Sequence, residues 1–200
     1  MERGLLEDFL IFIVLINPIS KIVVLSGLKI INDFDKLKKI AFKAASTAFL
    51  VLILFAYGGT FFLRSIFHIE IYALQIAGGT VLFLVGLRAL QKGEFFEIEH
   101  QKRFEDFAVV PIALPMIAGP ATITASIAQS AFHGPFVTGT AILFANILNF
   151  FVMLGSGTIM KVLNKYNLVG ALIRITGFFV ASIGVNMCLT GIKEFLKSVQ

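Results

Sequence analysis

The chain has 200 residues, 58% of them hydrophobic and only 14% charged, with a mean hydropathy of +0.91. A soluble domain runs nearer half apolar and a quarter charged, so this composition describes an integral membrane protein with almost nothing left over for a soluble domain. The net charge of +5 does not signal nucleic-acid binding, because the basic residues cluster in loops between apolar spans, as the topology rule for Lys and Arg requires.

The chain opens with Glu2, Arg3, Glu7 and Asp8 around a few apolar residues. A secretory signal needs a basic start and a small-residue cleavage site, so the first hydrophobic segment is expected to stay as a span. Six apolar stretches follow: Leu5–Ile31, Ile40–Leu63, Ile71–Leu90, Phe107–Phe132, Phe136–Met160 and Ile175–Ile192. About 20 residues cross a hydrocarbon core of about 30 Å. The first and fourth stretches are longer than that, and both carry helix-breaking signatures.

Those signatures are Asn17-Pro18-Ile19-Ser20 and Gly119-Pro120-Ala121-Thr122. Asn and Gly are acceptable N-caps, and Pro suits the first helical position because its missing N–H was unpaired anyway. Each therefore reads as the start of a half-helix within a membrane span. Breaks at matched places in two halves point to a transporter's binding site, although ordinary proline kinks are the alternative. Half-helix N-termini present free N–H groups and partial positive charge, which suits a carboxylate. Ser20, Thr122 and Thr124 add hydroxyls nearby. Gly78 and Gly79 leave room for a ligand or for close helix approach.

Lys21 is the one fully charged side chain deep inside a span. It reads either as an electrostatic partner for substrate or as a lysine snorkelling to an interface. Gln75, Gln129, Asn146, Asn149 and Asn186 read first as interhelical glue, with Asn146 and Asn149, three apart on one face, the best candidates for ligand contact. Gly155-Ser156-Gly157 has no base within reach in the expected topology and reads as small-residue packing, so no enzyme is expected. Cys188 lies in an apolar segment and reads as inert. No Asp or Glu is expected at depth, Asp106 at the mouth of the fourth span being the nearest. No metal-ligand spacing and no cofactor motif is present in the sequence.

Setting Pro18 on Pro120 aligns the first and fourth spans; in the third and sixth, Ile76-Ala77-Gly78-Gly79 lies over Arg174-Ile175-Thr176-Gly177 and Gly86 falls on Gly184. Each half holds three spans, so the second enters the membrane from the other side. The expected architecture is an all-α membrane protein of six transmembrane helices in a 3+3 inverted repeat, with helices 1 and 4 broken near the bilayer midplane. Residues 1–200 form a single membrane domain, with 1–90 a first three-helix repeat, 91–106 a cytoplasmic connecting loop and 107–200 a second repeat.

At this point the residues show a resemblance. Leu15-Ile16-Asn17-Pro18-Ile19-Ser20-Lys21-Ile22, and the run from Ala108 to Thr124 with Pro111, Pro115 and Gly119-Pro120, resemble the MarC family of six-span membrane proteins over essentially the whole chain. Ala77-Gly78-Gly79 and Arg174 to Gly177 also fit its pattern. Three positions depart from it: Ser20 where Gly is usual, Val23 where a second Pro is common, and Ala121 where Gly is common. The resemblance implies a prokaryotic cytoplasmic-membrane protein akin to the lysine-exporter superfamily. It implies a secondary transporter of small neutral amino acids of the alanine and glycine class, with a proton as coupling ion. The expected binding residues are Asn17, Pro18, Ser20, Lys21, Gly78, Gly79, Gly119, Pro120, Thr122, Thr124, Asn146 and Asn149. A passive channel for a small polar solute is the alternative, because opposed half-helices also line water and glycerol channels.

Orientation follows from the loops. Those after spans 1, 3 and 5 hold Lys29, Lys36, Lys38, Lys39, Lys43, Arg88, Lys92, Lys102, Arg103, Lys161, Lys165 and Arg174, against Arg3, Arg64, Lys193 and Lys197 on the other side. Both termini are thus expected outside. A cysteine introduced at Phe34 should be shielded from an impermeant thiol reagent in whole cells, and one at His68 labelled. The reverse pattern would overturn this orientation.

Overall fold

A computed structural model describes residues 2–27, 33–62, 65, 68–93 and 109–199. Eight α-helices and one π-helical segment make up almost all of it: α1 (Glu2–Ile16), α2 (Pro18–Gly27), α3 (Phe34–Phe61), α4 (Ile71–Lys92), the π-segment (Val109–Ile117), α5 (Pro120–His133), α6 (Pro135–Leu154), α7 (Ser156–Lys165) and α8 (Val169–Val199). The expected limits at Ile31 and Leu63, most of the 91–106 connecting loop with Asp106, and the expected start of the fourth span at Phe107 lie outside the described residues.

Among the described residues, five segments are long and apolar enough to cross a membrane: Arg3–Leu25, Phe34–Phe61, Ile71–Lys92, Pro135–Leu154 and Val169–Ser198. The expected fourth span is divided at Gly119-Pro120, where a break was expected, into the π-segment and α5, neither of which is long enough alone. The expected fifth span also ends early. Gly155 separates α6 from α7, so the stretch drawn to Met160 is two helices. The sixth is longer than drawn, and Arg174 sits inside α8 rather than in a preceding loop.

Large apolar side chains point outward all around these helices, with Leu50 at 67% and Phe136 at 72% relative exposure. Such a surface belongs in lipid, not water. The buried face of α3 is rich in small residues: Ala41, Ala44, Ala45, Ala48, Ala56 and Gly59 lie on it beside Leu37, Ile40 and Leu52, at the three- and four-residue spacing that keeps them on one stripe. That stripe lets α3 pack closely on the π-segment, α5 and α6, the arrangement favoured where lipid removes any hydrophobic drive between helices. Asp33 caps the start of α3 by accepting the Lys36 N–H at 3.1 Å. Hydrogen bonds from the Lys36 side chain first, then from its backbone, hold the Asp33 carboxyl below the usual carboxylate range.

Helices α4 and α8 make the closest contact, backbone against backbone. A Cβ on Gly79 would lie 2.5 Å from the Gly184 carbonyl oxygen, and one on Gly86 would lie 2.5 Å from that of Gly177. Gly191 in turn meets the Tyr72 carbonyl. Residue numbers rise along one helix as they fall along the other, so α4 and α8 run antiparallel. Elsewhere α1 packs on α6 and α3 on α5.

Replacing Gly184 with Val should therefore force the helices apart and destabilise the protein by roughly 2 kcal/mol or more, read as a lower melting temperature in detergent. Gly170→Ala, whose nearest neighbouring atom is 3.8 Å away, should leave that temperature unchanged.

Candidate functional site

The first break turns on Asn17, whose backbone is left-handed with φ 51°. Asn tolerates this conformation better than most residues with a side chain. Its N–H closes α1 on the Ile13 carbonyl at 3.1 Å. Its side-chain Oδ1 accepts the Ser20 N–H at 3.3 Å, and its carbonyl accepts the Ser20 hydroxyl at 2.8 Å. One residue thus ends α1 and caps α2, with Pro18 at the first helical position.

The second break is built differently. Pro111 and Pro115 have no N–H to donate, so the segment before the break cannot keep a regular i→i−4 ladder. It winds wider instead, with the Ala118 N–H reaching the Ala113 carbonyl five residues back at 2.9 Å, as in a π-turn. Gly119 is extended and Pro120 opens α5. The Thr122 hydroxyl accepts the Gly119 N–H at 2.9 Å and donates to the Ile117 carbonyl at 2.6 Å.

Lys21 joins the two. It projects from the first turn of α2 and is 1% exposed. Its ammonium donates to the Ile16 carbonyl, to the Asn17 carbonyl at 3.4 Å and to the Met116 carbonyl at 2.7 Å. The last carbonyls of a helix have no partner within the helix and carry partial negative charge. A single buried cation therefore serves the carbonyl ends of both α1 and the π-segment. It reaches no interface.

A cavity of about 60 Å³ adjoins this junction, lined by Leu15, Asn17, Ser20, Lys21, Val81, Leu82, Val85, Met116, Gly119, Pro120, Ala121, Thr122 and Val180. A ligand site is typically 300–1,000 Å³, so this one has room for only about two waters. A second cavity of about 620 Å³ lies between α1, α4, α5 and α8, which also contribute to the small one beside α2 and the π-segment. Its wall climbs α1 through Ile11 and Glu7, and α5 through Ala125, Ala128, Gln129, Phe132 and His133. Leu15 and Thr122 of the small cavity continue those same faces of α1 and α5, so the two cavities lie one beyond the other along these helices.

Of the expected binding residues, Asn17, Ser20, Lys21, Gly119, Pro120 and Thr122 are brought together around the small cavity, with Pro18 beside them. The others lie apart from both cavities. Gly78 makes room for Thr124, whose Cγ2 would lie 2.3 Å from an added Cβ, and Thr124 bonds within its own helix to the Pro120 carbonyl. Gly79 packs on Gly184. Asn146 donates to the Ala45 carbonyl at 2.9 Å, and Asn149 is fully buried with neither side-chain polar atom paired.

One cluster was missed. Asp8 is fully buried, although no acid was expected at depth. It accepts the Thr138 hydroxyl at 2.7 Å and lies 2.7 Å from Nδ1 of His133, whose Nε2 stands 4.0 Å from Glu7. A sequence signal existed: Asp8, Phe12 and Ile16 repeat at four-residue intervals, and all three are fully buried. The periodicity puts Asp8 on the inward face of α1 rather than among solvated terminal acids.

A family profile described as MarC family integral membrane protein matches residues 3–196. This chain belongs to the MarC family. The UPF0056 membrane protein PH0214 of Pyrococcus horikoshii is 38% identical, the alignment covering 96% of this chain and 94% of that one. A UPF0056 membrane protein of Aquifex aeolicus is 30% identical, with 98% and 96% covered. The UPF0056 inner membrane protein MarC of Citrobacter koseri is 28% identical, with 92% and 91% covered. No solved structure matches. The MarC-family relatives thus span bacteria and archaea and extend over nearly the full chain, including both breaks.

Lys21→Met should orphan the Ile16 and Met116 carbonyls and cost on the order of 2–4 kcal/mol. Asn17→Ala should lose both the cap and the tolerated left-handed backbone, about 2 kcal/mol together, whereas Asn17→Gly should cost a few tenths. Melting temperatures of the three variants in detergent check this order.

Proposed function

We propose that this MarC-family protein is a secondary transporter of a small neutral amino acid working by alternating access, with the substrate held at the two breaks. The observation that carries the reading is the Lys21 ammonium shared between the carbonyl ends of α1 and the π-segment, beside a cavity continuous in direction with a much larger one. The small cavity is the closed form of the site. On opening, the substrate carboxylate replaces the Met116 carbonyl at Lys21 and meets the first N–H groups of α2 and α5. Its ammonium meets backbone carbonyls released at the same junction.

A six-crossing inverted repeat supports this reading. As the third and fifth of five crossings, α4 and α8 would run parallel, yet they run antiparallel. A further crossing between them, made by the π-segment with α5, is the arrangement this reading takes. Adding 98 to Gly79 gives Gly177, and subtracting 98 from Gly184 gives Gly86. Exchanging the halves thus turns the Gly79–Gly184 contact into the Gly177–Gly86 contact, which is also present. The pairs α1 with α6 and α3 with α5 exchange in the same way. This is the behaviour of repeats related by a two-fold axis in the membrane plane.

Counterflow of radiolabelled alanine in proteoliposomes tests the transport reading. Saturable exchange with a transient overshoot is expected, lost or strongly reduced in Asn17→Ala. Flux without overshoot would make the protein a channel, and no flux of alanine or glycine would remove this substrate class.

A further inference from the structure

The large cavity is amphipathic, and its polar groups are biased toward accepting hydrogen bonds from a cation. Glu7 lies on its wall with the side chain 63% exposed. Gln75, on the facing helix α4, lines the same cavity at 2% exposure, and its Oε1 has no hydrogen-bond partner. A buried carbonyl oxygen without a donor is costly, and a ligand bearing N–H groups removes that cost. Phe132, Phe179 and Met187 give the same space an apolar wall, and about 620 Å³ is an ordinary size for a small-molecule site.

His133 sets the charge of this wall. Among the described residues, Glu7 and His133 are the ionisable side chains lining the cavity. Behind them α1 supplies Asp8, and α6 supplies Thr138, whose hydroxyl holds Asp8. Helices α4 and α8 face the space with Gln75, Ser182, Asn186 and Thr190, none of them ionisable. His133 is the last residue of α5, so the negative end of that helix adds to the two carboxylates. Nδ1 of His133 is taken up by Asp8 at 2.7 Å, and its second ring nitrogen faces Glu7 at 4.0 Å, so a proton on that nitrogen sets a positive charge against the Glu7 carboxylate.

We propose that this cavity binds the ammonium group of an amphipathic amine, and that a proton on His133 competes with that ammonium for the negative charge of Glu7. The apolar wall takes a hydrocarbon chain larger than a methyl group, and Gln75 Oε1 accepts from the bound ligand. The proton comes from water at the cavity and returns to it as the amine binds.

Calorimetric titration of the detergent-purified full chain tests this with isoamylamine, which carries a branched chain and an ammonium, and with 4-methylpentanoate, which carries the same chain and a carboxylate. Isoamylamine should bind and 4-methylpentanoate should not. Affinity for isoamylamine should fall about tenfold when the pH is lowered from about 8 to about 5. Glu7→Gln should weaken binding about tenfold at the higher pH. His133→Gln should keep binding and lose the pH dependence. Equal binding of the acid, no binding of the amine, an unchanged Glu7→Gln, or a wild-type pH slope in His133→Gln would each overturn the proposal. Because binding is read in detergent, it can fail while alanine counterflow succeeds, and the reverse.

Discussion

The architecture depends on one buried ammonium. Breaking two helices inside an apolar protein leaves carbonyl groups without partners, and lipid offers none. Lys21 meets that need at both breaks at once, since its three N–H donors suit several carbonyls converging on a point. The desolvation of a charge is the cost, and the carbonyl ends of two helical segments offset it with partial negative charge. Remove the lysine and neither helix end is satisfied. Remove either break and the lysine has no reason to be buried.

From this junction the rest follows outward. Asn17 and Thr122 use different chemistry for one task. The first turns the chain with a left-handed backbone and caps with an amide. The second follows a wide, proline-loosened turn and caps with a hydroxyl. Helices α1 and α5 run from the junction with the large cavity between them, and His133 at the far end of α5 meets Asp8 partway along α1. A lysine on carbonyls thus joins α1 to the π-segment at the breaks, and a histidine on a carboxylate joins α1 to α5 beyond them.

How much of this was legible in the sequence depended on distance along the chain. The two breaks were readable because Asn-Pro and Gly-Pro capping is settled within four residues. Gly79 was readable as a place of close approach, though its partner Gly184 was not. The destination of Lys21 was hidden, because Met116 lies 95 residues away and nothing local marks it as a partner. Asp8 was hidden for another reason: its charge outweighed its position on the Phe12 and Ile16 stripe, although a half-buried histidine and a buried threonine accommodate it. The division at Gly155 was missed because no proline follows that glycine and the apolar run continues past it.

The glycine contacts between α4 and α8 carry a mechanical consequence. Helices that interlock through large side chains must lift knobs out of holes before they can move. Here Gly79 meets Gly184 and Gly86 meets Gly177 through bare backbone, a smooth bearing surface between α4 and α8. At these contacts no side chain has to change rotamer for one helix to slide along the other, which favours shear over hinge motion there.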